Sequence, residues 1–211
     1  MNTFQDFGLL GSSLKVLAQR GIHTPTPIQT QTIPPLLAGK DVIAQACTGS
    51  GKTLAFGLPL VEYVDPNVRA VQALVLVPTR ELANQVGEVL QDLGAPDGLR
   101  VAFLVGGKSL GPQEAALRAG AQVVVGAPGR VLDLIRRGSL SLKKLSFLVL
   151  DEADEMLDRG FMHDVKAILS FAPPPQQRQT ALFSATHPDW VDRSSAPFLY
   201  QPVRVKIDPE P

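Results

Sequence analysis

Two short stretches of the 211-residue sequence carry residue types suited to phosphate chemistry. The first is Ala46-Cys47-Thr48-Gly49-Ser50-Gly51-Lys52-Thr53, directly after an apolar run. It ends in the Gly-Lys-Thr of a phosphate-binding loop, although Ala46 stands where a first glycine is usual. Gly49 and Gly51 allow the N–H groups of Thr48 to Lys52 to converge on phosphate oxygens at a helix N-terminus. Lys52 supplies a point charge for the outer phosphates, and the Thr53 hydroxyl can hold Mg²⁺. The second stretch is Asp151-Glu152-Ala153-Asp154, which ends the apolar run Phe147-Leu148-Val149-Leu150. There Asp151 can hold Mg²⁺ largely through water, and Glu152 can polarise a water for in-line attack. Each stretch alone has a bland alternative: a Gly-rich turn with a solvated lysine, or acids that only answer a helix dipole. Together they point to a Mg²⁺-bound nucleoside triphosphate.

Such residues need strands that end where they begin. Asp41–Ala46, Ala73–Val77, Arg100–Val105, Gln122–Gly126, Phe147–Asp151 and Thr180–Ser184 are mostly apolar at successive positions, as strands buried on both faces should be. Each leads into a polar or Gly-rich turn. Between them the period changes: Leu82, Val86, Val89 and Leu93 fall on one helical stripe. Strands alternating with helices predict an α/β fold, a parallel sheet with helices on both faces. Ala172-Pro173-Pro174-Pro175 reads as a stiff loop. Past Thr186 the pattern is less regular, because Pro197 should break any helix begun at Pro188. Val203–Ile207 alternates apolar with basic and reads as an edge strand.

Further stretches narrow the class. Gly21-Ile22-His23-Thr24-Pro25-Thr26-Pro27-Ile28-Gln29 looks like a Q motif, with Phe4 17 residues before Gly21. Pro78-Thr79-Arg80-Glu81-Leu82-Ala83 looks like motif Ia, Gly106-Gly107 like a double glycine, Pro128-Gly129-Arg130 like motif Ib and Ser184-Ala185-Thr186 like motif III. In this order the series closely resembles the DEAD-box ATP-dependent RNA helicases. The resemblance implies a RecA-like P-loop domain with ATP and Mg²⁺ as ligands and Lys52, Asp151 and Glu152 as catalytic residues. It implies that Gln29 reads adenine through its carboxamide and that Phe4 stacks on the ring. Pro78, Thr79, Arg80, Gly107, Pro128, Gly129 and Arg130 are then expected to hold the RNA sugar–phosphate backbone without reading bases. Ser184 and Thr186 are expected to bond back to Asp154 and to link nucleotide state to domain closure.

Composition bounds these expectations. Lys plus Arg equals Asp plus Glu at 20 each, so RNA contact must come from a local patch. Weak binding of RNA is then expected, no tighter than non-specific affinities of about 10⁻⁴–10⁻⁶ M. One cysteine, Cys47, excludes an internal disulfide and a Cys-rich zinc site, and His23, His163 and His187 have no metal-ligand spacing. No apolar run approaches about 18 residues, and the polar start is unlike a secretion signal, so a cytoplasmic protein without membrane contact is expected. Residues 1–211 read as one RecA-like domain, with a Q-motif region at 4–29 and a core at 36–207. Nothing after Thr186 resembles the family's second RecA-like domain, the expected partner that would bring an arginine finger. Ala127 departs from the Thr usual in motif Ib and removes one hydroxyl, whereas Ala46 is the family's own habit. A DNA translocase shares the phosphate loop and acidic pair, but the Q motif and the stretch Asp151–Asp154 argue against it. A non-catalytic RNA clamp would not need Lys52, Thr53, Asp151 and Glu152 intact.

Overall fold

The computed structural model describes residues 3–186 and 198–208; the break expected between Pro188 and Pro197, and His187, lie outside them. The strands are β1 (Val42–Gln45), β2 (Ala73–Leu76), β3 (Val101–Leu104), β4 (Val123–Gly126), β5 (Phe147–Leu150), β6 (Gln179–Ser184) and β7 (Val203–Lys206). All seven pair in parallel, in the order β3-β4-β2-β5-β6-β1-β7. Period-2 alternation sends successive side chains to opposite faces. Ala73 and Val75 therefore join one core, and Leu74 and Leu76 the other. Helices α1 (Gly11–Gln19), α2 (Pro27–Leu37), α3 (Lys52–Tyr63) and α4 (Arg80–Gly94) cover the first face. Helices α5 (Leu110–Arg118), α6 (Pro128–Arg136), α7 (Ala153–Asp158) and α8 (Met162–Leu169) cover the second. Among the described residues no helix is long and apolar enough to cross a membrane.

Two of the four positions expected on the α4 stripe, Val86 and Leu93, are buried, and the other two are displaced by one residue. Ala83, Val86, Leu90 and Leu93 are buried, while Leu82 and Val89 only lean on the same core. β7 lies at the sheet edge as its alternation predicts, with Val205 inward and Arg204 and Lys206 exposed.

The amino edge of the sheet is closed by buried polar groups rather than by apolar packing. Asp41, 5% exposed, accepts from Thr180 N–H at 2.8 Å through Oδ1 and from Tyr200 N–H at 2.7 Å through Oδ2. The neighbouring Arg178 guanidinium donates to Phe198 O at 3.2 Å, to Thr180 Oγ1 at 3.3 Å and to Pro173 O. Burial holds the Asp41 carboxyl above its ordinary range, against those two N–H groups and the Arg178 charge. The Gln179 carboxamide donates to Leu36 O at 2.7 Å and Lys40 O at 2.8 Å. The start of β1, the start of β6 and the segment entering β7 are thereby fixed to one another.

Candidate active site

The carboxyl ends of β5, β6, β1 and β7 lie side by side, and the residues following them make one site. After β1 the chain turns through Gly49 (φ +83°) and Gly51 (φ +88°), and Lys52 opens α3. Gly51 is required twice over. Its backbone is left-handed, and a Cβ would lie 2.6 Å from Gln29 Nε2 and 3.0 Å from Thr26 Oγ1. Those atoms press on the loop because they bond to it. Gln29 Nε2 donates to Gly51 O at 3.0 Å, Thr26 Oγ1 donates to Ser50 O at 2.8 Å, and Gln29 Oε1 accepts from Thr26 N–H at 2.9 Å. A cavity of about 360 Å³ opens between the Thr26–Ile28 turn and Cys47–Ser50. A larger hollow of about 790 Å³ runs beside β3 as far as Gly107 and Lys108, but it contains no phosphate loop.

The acidic strand end meets the loop from below. Asp151 is 0% exposed, and Lys52 is 7% exposed. Lys52 Nζ lies 3.2 Å from Asp151 Oδ1 and 3.4 Å from Glu152 Oε1, and Asp151 Oδ1 also accepts from Glu152 N–H at 3.0 Å. Asp151 Oδ2 is buried with no protein partner, as are Ser50 Oγ and Ser184 Oγ. These three orphaned atoms all belong to the segments that frame this site. Burial pushes the Asp151 carboxyl up against the pull of Lys52. Burial also raises Glu152, helped by a hydrogen bond with Glu155 and opposed by Lys52. Glu152 precedes α7 in a left-handed conformation (φ 51°, ψ 50°), which a residue with a Cβ adopts only when its surroundings hold it there.

Two expectations change here. Asp154 Oδ2 accepts from the Thr186 backbone N–H at 3.2 Å, so the link to Thr186 runs through the main chain. Ser184 does not reach Asp154; its hydroxyl is one of the orphaned atoms, facing inward at the end of β6. Phe4 is 2% exposed in the core and meets the Phe7 ring edge-on at 5.9 Å between centroids. It offers no open face in this conformation, and a base could stack on it only after the Phe4–Phe7 turn shifts. Gln29 is 2% exposed, and both ends of its carboxamide are engaged within the loop and its own turn.

The ends of β2, β3 and β4 form a second zone on the same sheet edge. Thr79 caps α4 by accepting from Leu82 N–H at 3.1 Å, and Arg80 follows in the first turn. Arg80 lies over Gly107, where a Cβ would sit 2.8 Å from Arg80 Nη1. Pro78 and Pro128 are buried, and Gly129 is exposed. Ala127 occupies the N-cap of α6 and offers no side-chain hydrogen bond, which is the physical consequence of the missing hydroxyl. Arg130 Nη1 donates to Lys108 O at 3.0 Å and to Gln113 Oε1 at 3.2 Å. Among the described residues neither Arg80 nor Arg130 makes an ion pair, so both charges remain available to an anion. Sequence reasoning missed Gln113, whose Nε2 donates to Val105 O at 2.9 Å while its Oε1 aims Arg130. It also left Thr26 without a role, although Thr26-x-x-Gln29 is a capping-box pattern.

A phosphate loop over a buried lysine and carboxylate, at the carboxyl edge of a parallel sheet, defines a P-loop domain of RecA-like fold. Residues 26–194 match the DEAD/DEAH box helicase family, and the chain belongs to that family. It is 50% identical over 207 residues to the DEAD-box ATP-dependent RNA helicase CshA of Geobacillus kaustophilus, covering 98% of this chain and 44% of that protein. It is 51% identical over 206 residues to the ATP-dependent RNA helicase DeaD of Escherichia coli, covering 97% of this chain and 32% of that protein. The chain therefore spans less than half the length of these relatives. The crystal structure of a DEAD box protein from Methanococcus jannaschii superposes with a TM-score of 0.93 at 39% identity, over 99% of this chain and 56% of that one.

Proposed function

We propose that the chain is the ATP-binding half of an RNA helicase that couples ATP binding and hydrolysis to local unwinding of RNA duplexes or remodelling of RNA–protein complexes. The observation that carries this reading is Asp151. Its Oδ1 holds the loop lysine at 3.2 Å, and its Oδ2 lies buried without a partner beneath a phosphate loop. A bare buried carboxylate oxygen suits a hydrated divalent cation. Mg²⁺, held by Asp151 largely through water and by the Thr53 hydroxyl, would neutralise charge on the outer phosphates. Phosphates entering over Thr48–Ser50 would meet the loop N–H groups and draw Lys52 from the carboxylates. Glu152 would then be free to orient the attacking water. Arg80, Gly107 and Arg130, with the N-termini of α4 and α6, would hold an RNA backbone beside the nucleotide. Calorimetric titration of ADP with and without Mg²⁺ tests the core of this reading. Binding is expected to be strengthened by Mg²⁺ in the wild type and indifferent to it in Asp151→Asn; the same Mg²⁺ dependence in both would overturn it.

Base choice gives a second test. If Gln29 reads adenine through the second N–H of Nε2 and the remaining lone pair of Oε1, ADP should bind about ten- to a hundredfold tighter than GDP. Gln29→Ala should erase that preference. A variant that loses ADP and GDP affinity equally would mark Gln29 as a brace for the phosphate loop and not as the base reader.

Cys47 lies exposed on the loop and lines the 360 Å³ cavity. ADP with Mg²⁺ should therefore slow its alkylation by a maleimide severalfold, read by mass spectrometry over time. Equal labelling rates with and without nucleotide would mean that the ligand binds elsewhere.

A further inference from the structure

The strand at the sheet edge brings two residues to the nucleotide pocket that no motif includes. β7 pairs with β1 in register, Val42 with Val203 through Gln45 with Lys206. Ile207 N–H then donates to Gln45 O at 3.0 Å, so the chain after β7 runs level with the start of the phosphate loop. Ile207 and Asp208 line the same cavity as Thr26, Pro27 and Cys47–Ser50. Pro27 is exposed and Ile207 half-buried, giving the cavity apolar surface away from the loop amides. Asp208 stands at the rim with its side chain 78% exposed, 3.2 Å from Lys206 Nζ.

We infer that Ile207 and Asp208 complete the nucleoside end of the pocket, Ile207 covering a purine face and Asp208 accepting a hydrogen bond from a ribose hydroxyl. The assignment rests on the nucleotide-binding reading above. An ionised carboxylate only accepts hydrogen bonds, and the ribose hydroxyls are donors. Its charge also repels phosphates, which sends them toward the Thr48–Ser50 amides and Lys52 and leaves the sugar facing the rim. Lys206 offsets part of that charge without covering the pocket.

The test is calorimetry on the 211-residue chain with ADP and with 2′,3′-dideoxy-ADP, both with Mg²⁺. The wild type should bind ADP about three- to tenfold tighter than the dideoxy analogue. Asp208→Ala removes only an exposed ion pair, which contributes little to the fold. It should lose that same factor for ADP and bind both ligands alike. Ile207→Ala should weaken both ligands equally. An Asp208→Ala variant with the wild-type ratio, or with tighter ADP binding, would overturn the assignment. Lys52→Ala separates the two levels. If it binds ADP as the wild type does, the nucleotide reading itself fails; if it loses binding while Asp208→Ala is unchanged, only the role of Asp208 fails.

Discussion

Joined after Pro211 to a second RecA-like domain, this chain is expected to hydrolyse ATP in response to RNA, about 10³–10⁵-fold faster than it does alone. Phosphoryl transfer builds negative charge on the equatorial oxygens, and positive groups must meet it in place. Among the described residues no arginine lines the cavity beside the phosphate loop. The lysine at hand, Lys52, is shared between Asp151 and Glu152. The chain alone is therefore expected to bind nucleotide and Mg²⁺, to turn over marginally, and to be indifferent to RNA. In the two-domain protein, Glu152→Gln should abolish turnover while leaving ADP binding intact, because it removes the group proposed to polarise water and keeps the loop. Steady-state ATPase assays with and without RNA decide the matter. Robust RNA-dependent turnover by the 211-residue chain would show that its site needs no second domain.

Asp41→Ala is expected to be the most damaging single change outside the nucleotide site. It strips the acceptor from two backbone N–H groups and leaves the Arg178 guanidinium without its carboxylate neighbour. Breaking buried polar partnerships of this kind costs about 3–5 kcal/mol. For a domain of this size that lowers Tm by roughly 6–20 °C. Asp41→Asn, which keeps one acceptor oxygen, should fall between. A pH series adds a sign to the test. The folded-state pKa of Asp41 is raised by burial, so its contribution to stability is present below the ordinary carboxylate pKa and is lost as pH rises through the folded value. The Tm gap between the wild type and Asp41→Asn should therefore narrow as pH rises above about 4, the ordinary carboxylate value. Calorimetric scans showing the Ala variant within a degree or two of the wild type would mean that the Arg178 cluster, and not Asp41, fixes this edge.

Much of the fold is legible because a strand buried on both faces leaves an unbroken apolar run. Val123-Val124-Val125 and Phe147–Leu150 allow few other readings, and the turns that follow them mark the functional edge. Lys52 and Asp151 could be paired from motif order alone. Other features leave no such trace. Nothing local in Asp41 or Arg178 says that they meet, since one precedes β1 and the other β6, and only the β1–β6 pairing brings them together. Gln113 reads as an ordinary polar residue of a helix until α5 turns it toward Val105 and Arg130. The expected bond from Ser184 to Asp154 is not made: the Ser184 hydroxyl is buried without a partner, and the Thr186 main-chain N–H meets Asp154 instead. The resemblance supplied the partnership between the two segments, and only the folded chain shows which atom makes it.

The strand order has a further consequence for how this molecule could be varied. The sheet divides at the β2–β5 ladder, Ala73–Leu76 against Phe147–Leu150, where Asp151 N–H also donates to Leu76 O at 3.0 Å. On one side lie β5, β6, β1 and β7 with the nucleotide pocket; on the other lie β2, β4 and β3 with Arg80, Gly107 and Arg130. The second group is one uninterrupted piece of chain, entered after α3 and left before β5. The surface proposed to meet RNA is thus an insert within the phosphate-binding frame. It can diversify or be exchanged as a cassette only if the four residue pairs of that ladder are kept together with the packing of α4 on α1 and α3 and of α6 on α8.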